Sequence, residues 1–186
     1  MLGVLLGFAI VASACGDEGA SAGSTGGAGG AGAGGDGGAV APQLVEVTEA
    51  SFDCILEGTK VRRFYVENVL GELAASVAVA EGDAPLPYPR GTLLQLVPFE
   101  AMVKREAGFS EETNDWEFFA LEPTNEGTKI TTRGKDAINF VGDTCADCHR
   151  PAASNDFVCE TDNGCVALPL SAAVIADLQE ADPRCN

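Results

Sequence analysis

Imidazole is as scarce as any side-chain group in this chain, matched only by the single indole. There is one histidine, His149, so any chemistry that needs an imidazole falls on that residue. Methionine is nearly as rare, with Met102 alone besides the initiator. Basic residues are few: 11 Lys and Arg stand against 28 Asp and Glu, a formal net charge of −17. A surface of this sign repels nucleic acid and anionic lipid, so no nucleic-acid partner is expected. It could steer a basic partner such as another redox protein, although acidic surfaces mostly serve solubility. Long apolar runs are missing. The run from Leu2 to Ala12 is too short to span a bilayer and has the length of a signal-peptide core. The start also lacks any Lys or Arg before that core, which makes the signal atypical or its start misplaced.

The apolar run ends in Ala12-Ser13-Ala14-Cys15, similar to a bacterial lipobox. In such signals the cysteine is lipidated and becomes the first mature residue. The plainer alternative is an ordinary secretory signal with a stray cysteine, and both readings export the protein. The expected location is the periplasmic or cell-surface side of a bacterial membrane, anchored by lipid on Cys15. Residues 16–40 are almost entirely Gly, Ala and Ser with a few acids. Such a stretch cannot offset the entropy of ordering and is expected to be a disordered tether with a mean reach of roughly 25–30 Å. Residues 41–186 have the size of one domain with one core. Three acids (Asp17, Glu18, Asp36) lie in the tail, which leaves the domain about 14 net negative.

The most informative stretch is Cys145-Ala146-Asp147-Cys148-His149, which reads CxxCH. Two thiols at this spacing can add to the two vinyl groups of one haem, and the next histidine is then held beside the iron as its proximal ligand. The expected cofactor is therefore one covalent haem c on Cys145 and Cys148, with His149 on the iron. Other uses of CxxC are a disulfide, a redox dithiol or half of a zinc site. A thioredoxin-like dithiol could follow a strand at Ala137–Val141, but too little chain remains after the motif for that fold. A zinc site would need Cys159 and Cys165, whose six-residue offset is not a second CxxC knuckle.

Seven cysteines can then be sorted. Cys15 goes to lipid, and Cys145 and Cys148 go to haem. Cys54, Cys159, Cys165 and Cys185 remain, an even number in an oxidising compartment, with three possible pairings. The expected pairs are Cys159–Cys165 as a local loop and Cys54–Cys185 across the domain. On the chain-entropy model the long loop contributes roughly 3–5 kcal/mol.

Propensity predicts strands at Val61–Val66, Gly91–Val97 (stopped by Pro98) and Asp115–Leu121, then a turn at Pro123–Gly127 and a returning strand at Thr128–Thr132. Gly71–Ala80 reads as a weak Ala-rich helix, Pro85, Pro87 and Pro89 as a loop, and Ser171–Glu180 as a short amphipathic helix. The fold class is α+β: a mainly antiparallel β-sheet with a few short helices, and the haem held at a CxxCH loop-helix in the C-terminal part. Small helical cytochromes c place CxxCH early and a methionine ligand after it. Here the motif is late and no methionine follows. The sixth iron position is then open, water-bound or blocked by a nearby side chain; an open one binds small ligands, whereas a closed one only passes electrons.

From Tyr88 to Cys159, about half of the domain, the chain resembles the cytochrome P-460 family and its β-sheet relatives, cytochromes c-prime-beta. Three blocks carry the likeness: Pro89-Arg90-Gly91-Thr92; Glu100-Ala101-Met102-Val103-Lys104-Arg105 running to Asn114-Asp115-Trp116-Glu117-Phe118-Phe119; and Cys145–His149 followed by Asn155-Asp156-Phe157-Val158. The resemblance implies that His149 is the proximal ligand, with its other ring nitrogen donating an orienting hydrogen bond. It also implies that Glu100 sits at the distal carboxylate position, where hydroxylamine-oxidising members use a proton acceptor. Those members carry a lysine, cross-linked to the haem edge, where this chain has Leu96, so the likeness is closer to the nitric-oxide-binding or electron-carrying branch. Phe99, Phe109, Trp116 and Phe118 are candidate haem-pocket walls, with plain core as the alternative for each. Lys104 is expected to be exposed, the alternative being that it reaches the iron or a haem propionate; Met102 and Lys104 are the candidates for blocking the sixth position. Three roles follow: a mono-haem cytochrome that binds a small diatomic or nitrogenous ligand or passes electrons to a redox protein; an oxidoreductase acting on hydroxylamine or a similar small nitrogen compound, with Glu100 as base; and a haem-free lipoprotein stabilised by disulfides or zinc.

Overall fold

A computed structural model describes residues 44–160, 165 and 167–185. The expected signal segment, the expected tether and Cys15 lie outside the described residues. The chain divides between Ala39 and Val40, and the second unit holds every element below. Among the described residues no helix is long and apolar enough to cross a membrane.

The fold is α+β. Six strands form one antiparallel sheet in the order of the chain: β1 (Thr59–Val61), β2 (Phe64–Asn68), β3 (Thr92–Gln95), β4 (Glu100–Lys104), β5 (Trp116–Thr124) and β6 (Gly127–Arg133). Three short α-helices accompany it: α1 (Leu73–Glu81), α2 (Cys145–His149) and α3 (Ala172–Glu180). Every strand pairs with its sequence neighbour, so each connection is local.

Because side chains alternate across a strand, paired residues stack on one face. Val66, Leu94, Met102 and Phe118 form such a row across β2 to β5. They pack with Trp116, Tyr88, Cys145 and Phe157 into one core. On the opposite face Leu93, Val103, Ala101 and Phe119 pack with Val45, Val47 and Phe52 from the N-terminal segment into a second core. With both faces covered, the central strands are apolar and buried along most of their length, while β6 at the edge is mostly exposed.

Several elements differ from the sequence expectation. Val61–Val66 is not one strand but a β1–β2 hairpin, because Arg62 takes φ +53° and turns the chain. β5 runs on through Pro123 to Thr124, so the β5–β6 turn is tighter than expected. Ala137–Val141 forms no strand and contributes only an isolated bridge, Ile138 to Thr144. Glu100–Lys104 is a strand that propensity did not mark. Gly91 has φ +80°, and a Cβ there would sit 2.8 Å from Asn68 Oδ1 and 2.9 Å from Leu70 Cγ, so only glycine lets β3 start beside that turn.

Two disulfides form, Cys54–Cys185 and Cys159–Cys165, the pairs expected from the sequence. Beside the first, Arg184 and Asp182 make a buried ion pair. Asp182 accepts from Ile55 N at 2.9 Å, and Arg184 donates to the carbonyls of Phe52 and Pro98.

Candidate functional site

α2 is a single turn and a half that begins at Thr144, whose hydroxyl donates to Asp147 at 2.6 Å. Positions i, i+3 and i+4 of a helix share a face, which turns Cys145, Cys148 and His149 to one side. That side lines a cleft of about 950 Å³, counted with its solvent-open mouth. The sheet supplies the apolar floor, including Phe64, Leu94, Met102 and Phe118. Glu100 and Phe140 stand at one margin, and Val158 and the Cys159–Cys165 disulfide at another. α3 braces the cleft from outside: Gln179 Nε2 donates to the carbonyls of Arg63 and Leu96, both cleft residues, at 2.7 and 2.8 Å.

Cys145 and Cys148 are free thiols, whereas the other four described cysteines are paired. Burial pushes the Cys145 thiol up to about 12, helped by the nearby Glu100 charge. Burial likewise raises Cys148, with Asp143 adding to it. Both therefore stay protonated at neutral pH. An attacking redox cysteine needs the opposite, a lowered thiol, so the pair lacks the electrostatics of a thioredoxin-type dithiol. Cys159 and Cys165, the extra ligands that a zinc site requires, are committed to each other. Among the described residues no group of three His, Cys, Asp or Glu is placed to hold a bare metal ion.

His149 Nδ1 lies 2.7 Å from the carbonyl oxygen of Phe157. A carbonyl can only accept, so Nδ1 carries the proton and Nε2 keeps its lone pair. Burial pushes the imidazole below its ordinary range, opposed by the hydrogen bond to Phe157, so the ring is neutral at pH 7. Phe118 packs on it with ring centres 5.0 Å apart, and Cys159 Sγ lies 3.5 Å from Nδ1. A neutral, half-buried imidazole with one nitrogen tied to a backbone carbonyl is in the state usual for a histidine metal ligand.

Glu100 opens β4 and lines the cleft. Its Oε1 accepts the Phe140 N–H at 2.7 Å, which fixes the carboxylate and leaves the other oxygen available. Burial raises its pKa, opposed by that hydrogen bond. A fixed carboxylate with raised proton affinity suits general-base work better than a solvated one.

The proposed aromatic walls separate. Phe118 lines the cleft. Phe99 stands edge-on against Phe140 at 5.4 Å, one residue behind the rim. Trp116 is fully buried outside the lining, with its indole N–H on the Asp156 carbonyl at 2.7 Å and its ring edge on Tyr88. Phe109 is 38% exposed and stacks on Arg105 instead. Lys104, expected at the surface, is 5% exposed and bound to Asp156 and to the Asn114 carbonyl, each at 2.6 Å. Desolvation lowers its pKa, with Asp156 opposing. Met102 lines the cleft. Sequence reasoning did not assign roles to Phe140, Leu94 or the Asp156 cluster; the Asn-Asp-Phe-Val block marked the last region without saying what it does.

No family model, curated protein or solved structure matches this chain.

Proposed function

We propose that this chain is an exported mono-haem c-type cytochrome that binds a small ligand such as nitric oxide or transfers electrons. One observation carries the reading. The only histidine is tied through Nδ1 to a backbone carbonyl, leaving Nε2 free, in a cleft shared with two unpaired thiols at CxxCH spacing. That donor set fits a covalently attached haem: Cys145 and Cys148 would form the thioethers, and His149 would be the iron ligand. When bound, the haem supplies a one-electron iron centre with a position for a small ligand. Leu94, Met102 and Phe118 form a floor that excludes water, and Phe118 also limits rotation of the His149 ring. The resemblance to the cytochrome P-460 and c-prime-beta group supports the same reading, as does the apolar start with Cys15 for export and lipid anchoring.

The test is a visible spectrum of the protein produced with haem-attachment machinery, oxidised and reduced. The expected result is covalent haem that is lost in Cys145→Ala/Cys148→Ala. Absence of covalent haem in the natural sequence would overturn the reading. A five-coordinate spectrum that changes on adding nitric oxide assigns ligand binding, and a six-coordinate one assigns electron transfer with Met102 as the first suspect for the sixth ligand.

A second reading is oxidation of hydroxylamine or a similar nitrogen compound. What favours it is Glu100, fixed at the cleft margin by Phe140. Such a substrate gives up protons and electrons together; Glu100 would take the proton, and a redox protein would take the electrons. This predicts turnover that disappears in Glu100→Gln while the haem spectrum is kept. No turnover by the natural protein removes this reading and leaves the first intact.

A further inference from the structure

We propose that Asp156 is a positioning residue for the iron ligand: its buried carboxylate sets the backbone turn that aims the Phe157 carbonyl at His149 Nδ1. The inference rests on the haem reading for its consequence, though not for its geometry.

The Phe157 carbonyl is presented by two consecutive residues in the left-handed region, Asp156 at φ +51° and Phe157 at φ +61°. Asp tolerates that conformation and Phe does not favour it. Local hydrogen bonds hold part of the turn, from the Phe157 N–H to the Ala152 carbonyl at 2.9 Å and from the Val158 N–H to the Asn155 carbonyl at 3.0 Å, and contacts from outside the turn add to them. Four groups converge on Asp156 from distant parts of the chain. Lys104 Nζ donates to Oδ1 at 2.6 Å, and Asn114 Nδ2 donates to the same oxygen. The Tyr88 N–H donates to Oδ2 at 2.8 Å, and Trp116 Nε1 donates to the Asp156 carbonyl at 2.7 Å. The residue is 3% exposed. Tyr88, Lys104, Asn114 and Trp116 stand outside the cleft lining, and the polar groups they aim at this turn all end on Asp156, one residue from the Phe157 carbonyl. The far side of the same strap is pinned by the Cys159–Cys165 disulfide. Held at both ends, the strap fixes which imidazole nitrogen carries the proton. A carbonyl accepting from Nδ1–H also makes the imidazole a stronger donor to a metal.

A plain buried ion pair predicts lost stability and nothing else. The single histidine separates the two ideas, because the chain has one imidazole to observe by nitrogen NMR. The full chain is compared as natural sequence, Asp156→Ala, the milder Trp116→Phe and the opposite-face control Glu117→Ala, each with and without haem attached. In the haem-free natural chain, His149 is expected to carry its proton on Nδ1. In Asp156→Ala and, to a smaller extent, Trp116→Phe, a population with the proton on Nε2 is expected. With haem attached, the same two variants should show a higher reduction potential and a lower iron–histidine vibrational frequency. Glu117→Ala should lower the melting temperature and move none of these signals. If Asp156→Ala does not fold, Trp116→Phe decides. Variants that melt earlier with tautomer, potential and vibration unchanged overturn the proposal. A natural chain that takes up no haem overturns the function reading, while the haem-free tautomer still decides whether Asp156 positions His149.

Discussion

The two faces of the sheet each bury an apolar cluster and end up differently. On one face Phe119, Val103 and Leu93 are sealed by Val45, Val47 and Phe52. On the other, Phe118, Met102 and Leu94 meet α2 and the Asp156 strap but leave a concavity. Each face also has a buried carboxylate held by a cation from a neighbouring strand end. Glu117, 4% exposed, is held by Arg105 and Arg133 and joins the ends of three neighbouring strands. Asp156 is held by Lys104 and leads, one residue on, to the only histidine. The same device, a buried acid neutralised by a cation, closes one face and organises a site on the other. What separates them is the neighbour of the acid: a strand in one case, a turn with a free carbonyl in the other.

Neighbouring residues of β5 offer the sharpest way to break this comparison. Phe119→Ala should cost about 3–5 kcal/mol of unfolding free energy, the usual cost of emptying a sealed aromatic site. Phe118→Ala should cost about 2–3 kcal/mol, because its site already borders a cleft, and should alter the spectrum of the proposed haem, which Phe119→Ala leaves alone. Denaturant titration and a visible spectrum of both variants check this; equal costs with equal spectra would erase the distinction between the faces.

Glu117→Ala removes the acid shared by two arginines, leaving the largely buried Arg105 with Glu106 alone and Arg133 with the Val47 carbonyl. A loss of about 3 kcal/mol is expected, with no effect on haem attachment. A fall in haem content beyond the fall in folded protein would show that the closed face also serves the site.

The closed face should also carry a pH dependence. Glu67, paired with Leu93 on that side, is pushed up to about 7, chiefly by burial and then by Asp53. Its folded state therefore binds a proton more tightly than its unfolded state. Stability is fully present below the unfolded value near 4.5 and is lost as pH rises through about 7. Glu67→Gln should remove this loss and gain about 1–2 kcal/mol at pH 8 relative to pH 4, after allowance for partial solvent screening. Melting temperatures of both proteins across that range provide the check. At the bottom of the scale is Arg150→Ala, which deletes an exposed pair with Asp147 on α2. It should change stability by less than about 0.5 kcal/mol and leave haem attachment unaltered.

Much of this was legible from local signals. Asp115–Leu121 reads as a strand because aromatic residues crowd it, and the CxxCH spacing places three side chains on one helix face whatever the tertiary fold. An even count of cysteines indicated two disulfides but left three pairings open, and the structure selects the expected one. Signals failed where the deciding partner is remote. Lys104 looks like the polar end of a strand, and its burial is set by Asp156, 52 residues later. Val61-Arg62-Arg63-Phe64 carries no Gly or Asn to announce the turn that Arg62 makes. Trp116 and Phe118 share a strand face, yet only Phe118 reaches the cleft, because the Asp156 strap lies against the indole. Alternation shows which face a side chain takes and cannot show what covers it.

The Cys54–Cys185 bridge encloses nearly the whole described domain, with a sequence separation of 131 residues. Considered mechanically, it is a bypass. A pull applied to the chain before Cys54 and after Cys185 crosses from one sulfur to the other, and the enclosed stretch, all six strands and α2 included, carries no backbone tension. Only the residues ahead of Cys54 would peel away, taking Val45 and Val47 off the closed face, while the cleft, the strap and His149 stay inside the slack loop.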